Sequence, residues 1–152
     1  MIDKSLFKTE GHLVTVENRN TFEINCFVLK NIYNGDISDD LNEEELKPYL
    51  SIYNDQKSFL FREFERCNSS RRLILNFDNK VLISDDPNCM ICMQFIYRDG
   101  ETSAIVYSRS SDIKKLNYDL STIKFILKSF CKEMKTQVGN ISFFAGSFHE
   151  YL

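Results

Sequence analysis

Proline and glycine are scarce, at two and five residues in 152, which excludes a low-complexity or linker-built chain. No apolar run approaches the ~20 residues that a membrane-spanning helix needs. The opening MIDKSLFKTEGH has no stretch of signal-peptide length. A basic excess is missing as well. The formal net charge is -3 and the pI near 5.4, which argues against nucleic-acid binding because phosphate-tracking proteins carry surplus cations. With two histidines and one CxxC, Cys89 to Cys92, no set of residues has zinc-site spacing, so no metal is expected. Strict strand alternation would also turn those two cysteines to opposite faces. Neither a GxxxxGKS/T phosphate loop nor a GxSxG elbow is present. Five cysteines, an odd number without a secretory signal, point to a reducing cytoplasm.

What is there suits one domain, residues 1–152. The chain is 43% hydrophobic with thirteen Phe, and a chain of this length removes roughly 70% of its unfolded surface from water. His12 to Glu17 and Thr21 to Leu29 are dense in β-branched and aromatic residues, as strands are. The acidic run Asn34 to Glu45 reads as a solvated loop or helix start. Asp55 to Arg66 has helical spacing at Leu60, Phe64 and Cys67, with Asp55 as cap. Leu73, Leu75 and Phe77 alternate as a strand does. Asn88 to Arg98 and Glu101 to Arg109 are two strands joined by Asp99-Gly100, a strong hairpin signal. Leu120 to Lys135 is the best helix, and Ile141 to Phe144 a final strand before the tail SFHEYL. Pro48 and Pro87 fall at element edges. The whole is an α+β domain with a largely antiparallel sheet; its many Phe residues fit either an ordinary core or a sheet face covered by a homodimer partner.

The hairpin register can be calculated. If Arg98 faces Glu101, Cys89 faces Ser110 and Arg109 faces Met90. A thiol, a hydroxyl and a guanidinium then gather at the open end. Alternation still separates Cys89 from Arg109, so a bulge or strand end is needed to unite them. Cys89 is either a small buried hydrophobe or, beside a cation, a thiolate. Arg71-Arg72 is either a solvated pair or a phosphate clamp. His149 and Tyr151 share a face if the tail is extended.

These pieces resemble one family. Asp55-Gln56, Ser70-Arg71-Arg72, Cys89 with Gln94-Phe95, Tyr107-Ser108-Arg109-Ser110-Ser111-Asp112 and Gly146-Ser147-Phe148-His149-Glu150-Tyr151 occur in the order found in thymidylate synthases and the dCMP and CMP hydroxymethylases. Glu17 to Ile24 is similar, more weakly, to the family's first arginine loop. The resemblance implies that Cys89 is the nucleophile toward carbon 6 of a pyrimidine, and that Arg19, Arg109 and Ser110 hold the nucleotide phosphate. Arg71 and Arg72 would serve the neighbouring subunit's site in a homodimer. Gln94 and Asp112 would shape the pocket, and His149 and Tyr151 would meet the sugar. Asp119 falls, with one residue dropped, where the synthases carry an asparagine. An ionised carboxylate only accepts hydrogen bonds, which fits the amine of cytosine; Asp119 is equally a good helix cap before Leu120.

The sequence also departs from the family. Asn88 and Met90 replace the proline and histidine that flank the family's cysteine, and 24 residues, Asn31 to Asn54, stand where a long helix with a catalytic glutamate is expected. Glu45 and Tyr49 are the candidates there. Methylene-tetrahydrofolate is the implied one-carbon donor, but the folate-lining segments look trimmed. Two functions follow: one-carbon transfer to carbon 5 of a pyrimidine nucleoside monophosphate (dCMP, CMP or dUMP), or a non-catalytic nucleotide-binding or regulatory protein.

Overall fold

The computed structural model describes residues 11–77 and 88–152. The opening decapeptide and Pro87 lie outside them. The element order is β1 (His12–Val16), β2 (Arg19–Ile32), a 3-10 turn (Asn34–Asp36), α1 (Glu43–Arg66), β3 (Ile74–Asn76), β4 (Met90–Arg98), β5 (Glu101–Asp112), α2 (Leu116–Met134) and β6 (Gln137–Tyr151). The six strands form one sheet in the order β1-β2-β6-β5-β4-β3. Only β5 and β6 are parallel, joined by α2 as a crossover helix; the other neighbours are antiparallel. The expected α+β class with a largely antiparallel sheet is what forms.

Hydrophobic periodicity places the helices. The α2 stripe of Leu120, Ile123, Leu127, Phe130 and Cys131 is buried against the sheet, each large side chain contributing about 1.5–3 kcal/mol. Phe130 is the hub. It stacks on Phe95 at 4.4 Å and meets Phe64 edge-on at 5.8 Å. Phe27 and Phe148 stack at 4.1 Å elsewhere in the same core. Much of the phenylalanine content is thus ordinary core. The opposite sheet face still carries an apolar stripe: Val28 lies beside Phe144, which stacks on Tyr107 at 5.3 Å, and Ile105 and Ile74 flank Gln94. Val28, Ile105, Tyr107 and Ile74 are all exposed in this chain.

Three boundaries differ from expectation. Helix α1 begins at Glu43, not Asp55, because Asn42 caps it by accepting from the Glu45 N–H at 3.2 Å. Pro48 therefore lies inside the helix rather than at an edge, and the burial of Leu46, Tyr49, Tyr53 and Leu60 holds that segment helical. Helix α2 starts at Leu116, so Asp119 stands in its first turn and is not its cap. The tail HEY belongs to β6, which pairs with β2 on one side and β5 on the other.

Candidate active site

The β4–β5 hairpin turns at Asp99 and Gly100, both with positive φ (50° and 85°) as a type I′ turn requires. Arg98 faces Glu101, and the calculated register holds as far as Cys92 opposite Tyr107. There it slips by one: Met90 pairs with Ser108, not Arg109. Cys89 consequently lies opposite Arg109 rather than Ser110, and the Arg109 N–H donates to the Cys89 carbonyl at 2.8 Å. The extra residue is Ile91, whose carbonyl accepts from the Phe77 N–H at 2.9 Å. The slip reverses the facing of everything beyond it. Met90 turns into the core and Cys89 turns outward with Arg109. It also brings Cys89 and Cys92 to one face, which corrects the expectation from strict alternation; neither is in a disulfide.

The backbone of this strand end is pinned from several directions. Ser108 Oγ donates to the Cys89 carbonyl at 2.9 Å, and Arg109 Nε donates to the Asn88 carbonyl at 3.2 Å. From α1, the buried Tyr49 hydroxyl accepts the Met90 N–H at 3.3 Å, its ring edge-on to Phe77. Burial pushes the Tyr49 phenol up to about 12, so it stays neutral, and both Cys89 and Asp119 are among the groups that act on it electrostatically. Asp119 accepts from Ser111 Oγ at 3.2 Å. Burial raises its carboxyl to about 7, against the Ser111 bond and with Glu45 and Asp112 adding negative charge. Glu45 lies 3.9 Å from Lys115 and keeps a buried Oε2 without a hydrogen-bond partner among the described residues.

A second group adjoins along β6. Ser110 Oγ is 3.5 Å from His149 Nδ1, the His149 ring meets Tyr151 edge-on at 5.1 Å, and the Arg19 guanidinium lies 5.5 Å from the Tyr151 ring. Arg19 follows a tight turn in which Glu17 and Asn18 both take positive φ, which returns the chain beside the end of β6. Asn18, Arg19, Asn20, Tyr151 and Leu152 line a hollow of about 580 Å³. Half-burial lowers the His149 pKa despite Asp112 and Glu23 nearby. The neutral ring it favours carries one donor and one acceptor. Asp112 Oδ1 accepts from the Lys114 N–H and forms the turn into α2.

Three expected residues stand elsewhere in the chain. Arg71 and Arg72 are exposed on the link between α1 and β3, and Gln94 Nε2 donates to the Arg71 carbonyl at 2.9 Å. Gln94 is five positions along β4 from Cys89, roughly 16 Å. Sequence reasoning missed Ser108 and Ser111 as supports of the site; alternation with Arg109 in β5 was the available signal for Ser108, and Ser111, two residues beyond Arg109, gave none. Among the described residues, no three His, Cys, Asp or Glu side chains stand in metal-holding geometry. No helix there is long and apolar enough to cross a membrane.

The family model for thymidylate synthase matches residues 30–152. The chain belongs to the thymidylate synthase family. The thymidylate synthase of Aster yellows witches'-broom phytoplasma (strain AYWB) is 39% identical over 61 residues, covering 39% of this chain and 21% of that protein. The matched stretch thus spans about a fifth of that relative's length. Cys89, Arg109, Ser110, Asp119, His149 and Tyr151 all fall within the thymidylate synthase match; Arg19 precedes it.

Proposed function

We propose that the protein binds a pyrimidine nucleoside monophosphate and that the Cys89 thiolate adds to carbon 6 of the base, activating carbon 5 for one-carbon transfer. The single observation behind this is the slip at Ile91. It turns Cys89 outward beside Arg109, at the strand end that adjoins Ser110, His149, Tyr151 and Arg19. In this reading Arg109, Ser110 and Arg19 hold the phosphate by charge-assisted bonds, and His149 and Tyr151 meet the sugar. Asp112 shapes the pocket from the turn into α2. Asp119 reads the base, and its ionised form favours the 4-amino group of dCMP or CMP. As sulfur bonds to carbon 6, the ring π pair moves onto carbon 5 and the 4-position; carbon 5 then takes an electrophile, loses its proton, and expulsion of the thiolate restores the double bond.

A homodimer completes the arrangement. The exposed stripe of Val28, Tyr107, Ile105 and Ile74 lies on the same sheet face as Cys89 and Arg109. Pairing two such faces would bring Arg71, Arg72 and Gln94 of one subunit toward the other's anion site. A cytoplasmic setting, with its free thiols, is part of the same reading.

The folate donor does not fit the described residues equally well. Neither the hollow at Arg19 nor the cavity along α2 is lined by Cys89, and Tyr49 and Glu45 reach this end from α1. No step is derived through that cofactor. This observation favours a second reading, a nucleotide-binding or regulatory protein without transfer activity. Incubation with dCMP, CMP and dUMP tritiated at carbon 5 tests the first reading. Release of tritium that disappears in Cys89→Ala supports it, and no release with or without methylene-tetrahydrofolate overturns it. Calorimetric binding that survives Cys89→Ala without any turnover supports the second.

A further inference from the structure

Away from this site, a cavity of about 580 Å³ opens along the C-terminal half of α2, within the roughly 300–1,000 Å³ typical of small-molecule sites. Leu41, Phe125, Cys131 and Val138 give it apolar walls, and Lys128 and Lys132 stand one helical turn apart on its rim.

The polar groups in its walls are already committed within the protein. Ser121 Oγ donates to the Asn117 and Ser38 carbonyls, and Ser129 Oγ to the Phe125 carbonyl. The Thr136 hydroxyl pairs with Thr102 at 2.8 Å, and the Cys131 thiol contacts the Gln137 carbonyl at 3.7 Å. Asp39 is held at 3.0 Å by the buried Lys124 ammonium, which leaves Lys128 a distant share at 4.0 Å. Lys132 has no ion pair among the described residues. What remains to select a ligand is a hydrocarbon floor and, at its edge, the Lys132 ammonium and the Lys128 ammonium that is shared with the exposed Asp39 carboxylate.

We infer that this cavity is a binding site for a small amphipathic carboxylate, a free medium-chain fatty acid whose apolar tail lies on Phe125, Leu41 and Val138 and whose head group meets Lys128 and Lys132. A neutral apolar molecule would leave the ammonium pair unused, and a cation would be repelled by it. The C-terminal carbonyls of α2 carry partial negative charge that opposes an anion, and the two lysines offset it. The site is separate from Cys89 and does not depend on the nucleotide reading.

Ligand-observed NMR and calorimetry with sodium decanoate, kept below its micelle concentration, test this on the whole chain. Decyltrimethylammonium serves as the tail-matched control of opposite charge. Decanoate is expected to bind and the ammonium analogue not to. The double variant Lys128→Glu/Lys132→Glu should weaken decanoate by roughly tenfold or more, and Ser129→Trp, set on the rim, should block it. Circular dichroism confirms that both variants fold. Equal binding of the two amphiphiles, or no decanoate binding to the parent chain, overturns the assignment. So does a self-associated form that buries this face and falls apart in the double variant.

Discussion

Cys89 and Arg109 face the same side of the sheet because the β4–β5 ladder slips by one residue at Ile91. With regular pairing the thiol would point into the hydrocarbon core. The bulge is therefore the feature that converts a strand cysteine into an accessible one, and it sets the first expectation.

Arg109 should govern the reactivity of that thiol, since a neighbouring cation favours the thiolate. Arg109→Leu is expected to slow alkylation of Cys89 by iodoacetamide several-fold at pH 7.5. Peptide mass spectrometry reads this directly, with the exposed Cys26 as internal reference. An unchanged ratio of the two rates would remove Arg109 from the account.

Tyr49 should matter through its hydroxyl rather than its ring. Tyr49→Phe keeps the edge contact with Phe77 and leaves the buried Met90 N–H without its acceptor. A cost of about 1–3 kcal/mol in urea denaturation is expected, together with loss of carbon-5 tritium release. A variant of parental stability and turnover would show that the bond is dispensable.

The stability of the chain should fall as pH rises through the range of Asp119. Burial holds this carboxyl near 7 in the folded state, so the folded chain keeps a proton that the unfolded chain releases near pH 4. The contribution is complete below that point and is lost progressively until Asp119 itself ionises near 7. Asp119→Asn should match the parent at pH 4 and exceed it at pH 8, by at most about 4 kcal/mol. Urea midpoints at the two pH values decide it; a parental midpoint at pH 8 would contradict it.

Lys124 should anchor the segment before α1. Its buried ammonium donates to the Ile37 carbonyl at 2.8 Å and pairs with Asp39. Lys124→Ala should cost about 1–3 kcal/mol by leaving the buried Ile37 carbonyl without its donor and should increase amide exchange across residues 37–41. Asp39→Asn, on the exposed side of the same contact, should do much less.

Periodicity and turn chemistry made much of this architecture legible. The α2 stripe, the Asp99-Gly100 turn and the need for a bulge near Cys89 all follow from local sequence rules. Where the bulge falls does not, because it is settled by which of Met90 and Ile91 fills the core. The start of α1 was hidden for a different reason. Its capping residue Asn42 sits in an acidic run that looks like solvated loop, and Pro48 reads as a stop signal although tertiary burial overrides it. Asp119 looked like a cap because it precedes the stripe, yet one further turn, led by the buried Leu116, comes before it. The last residues of β6 read as tail because their pairing partners, Thr21 to Asn25 and Ser110 to Asp112, are remote in sequence.

That last strand has an implication for biosynthesis. β6 is the bridge between a β1–β2 ribbon made early and a β5–β4–β3 ribbon made later, and it emerges from the ribosome after both. Until it does, two open strand edges wait side by side with their amide groups unsatisfied, ready to pair with a neighbouring nascent chain. Closure of the sheet therefore waits for β6, and the interval before it is when this chain is most exposed to aggregation.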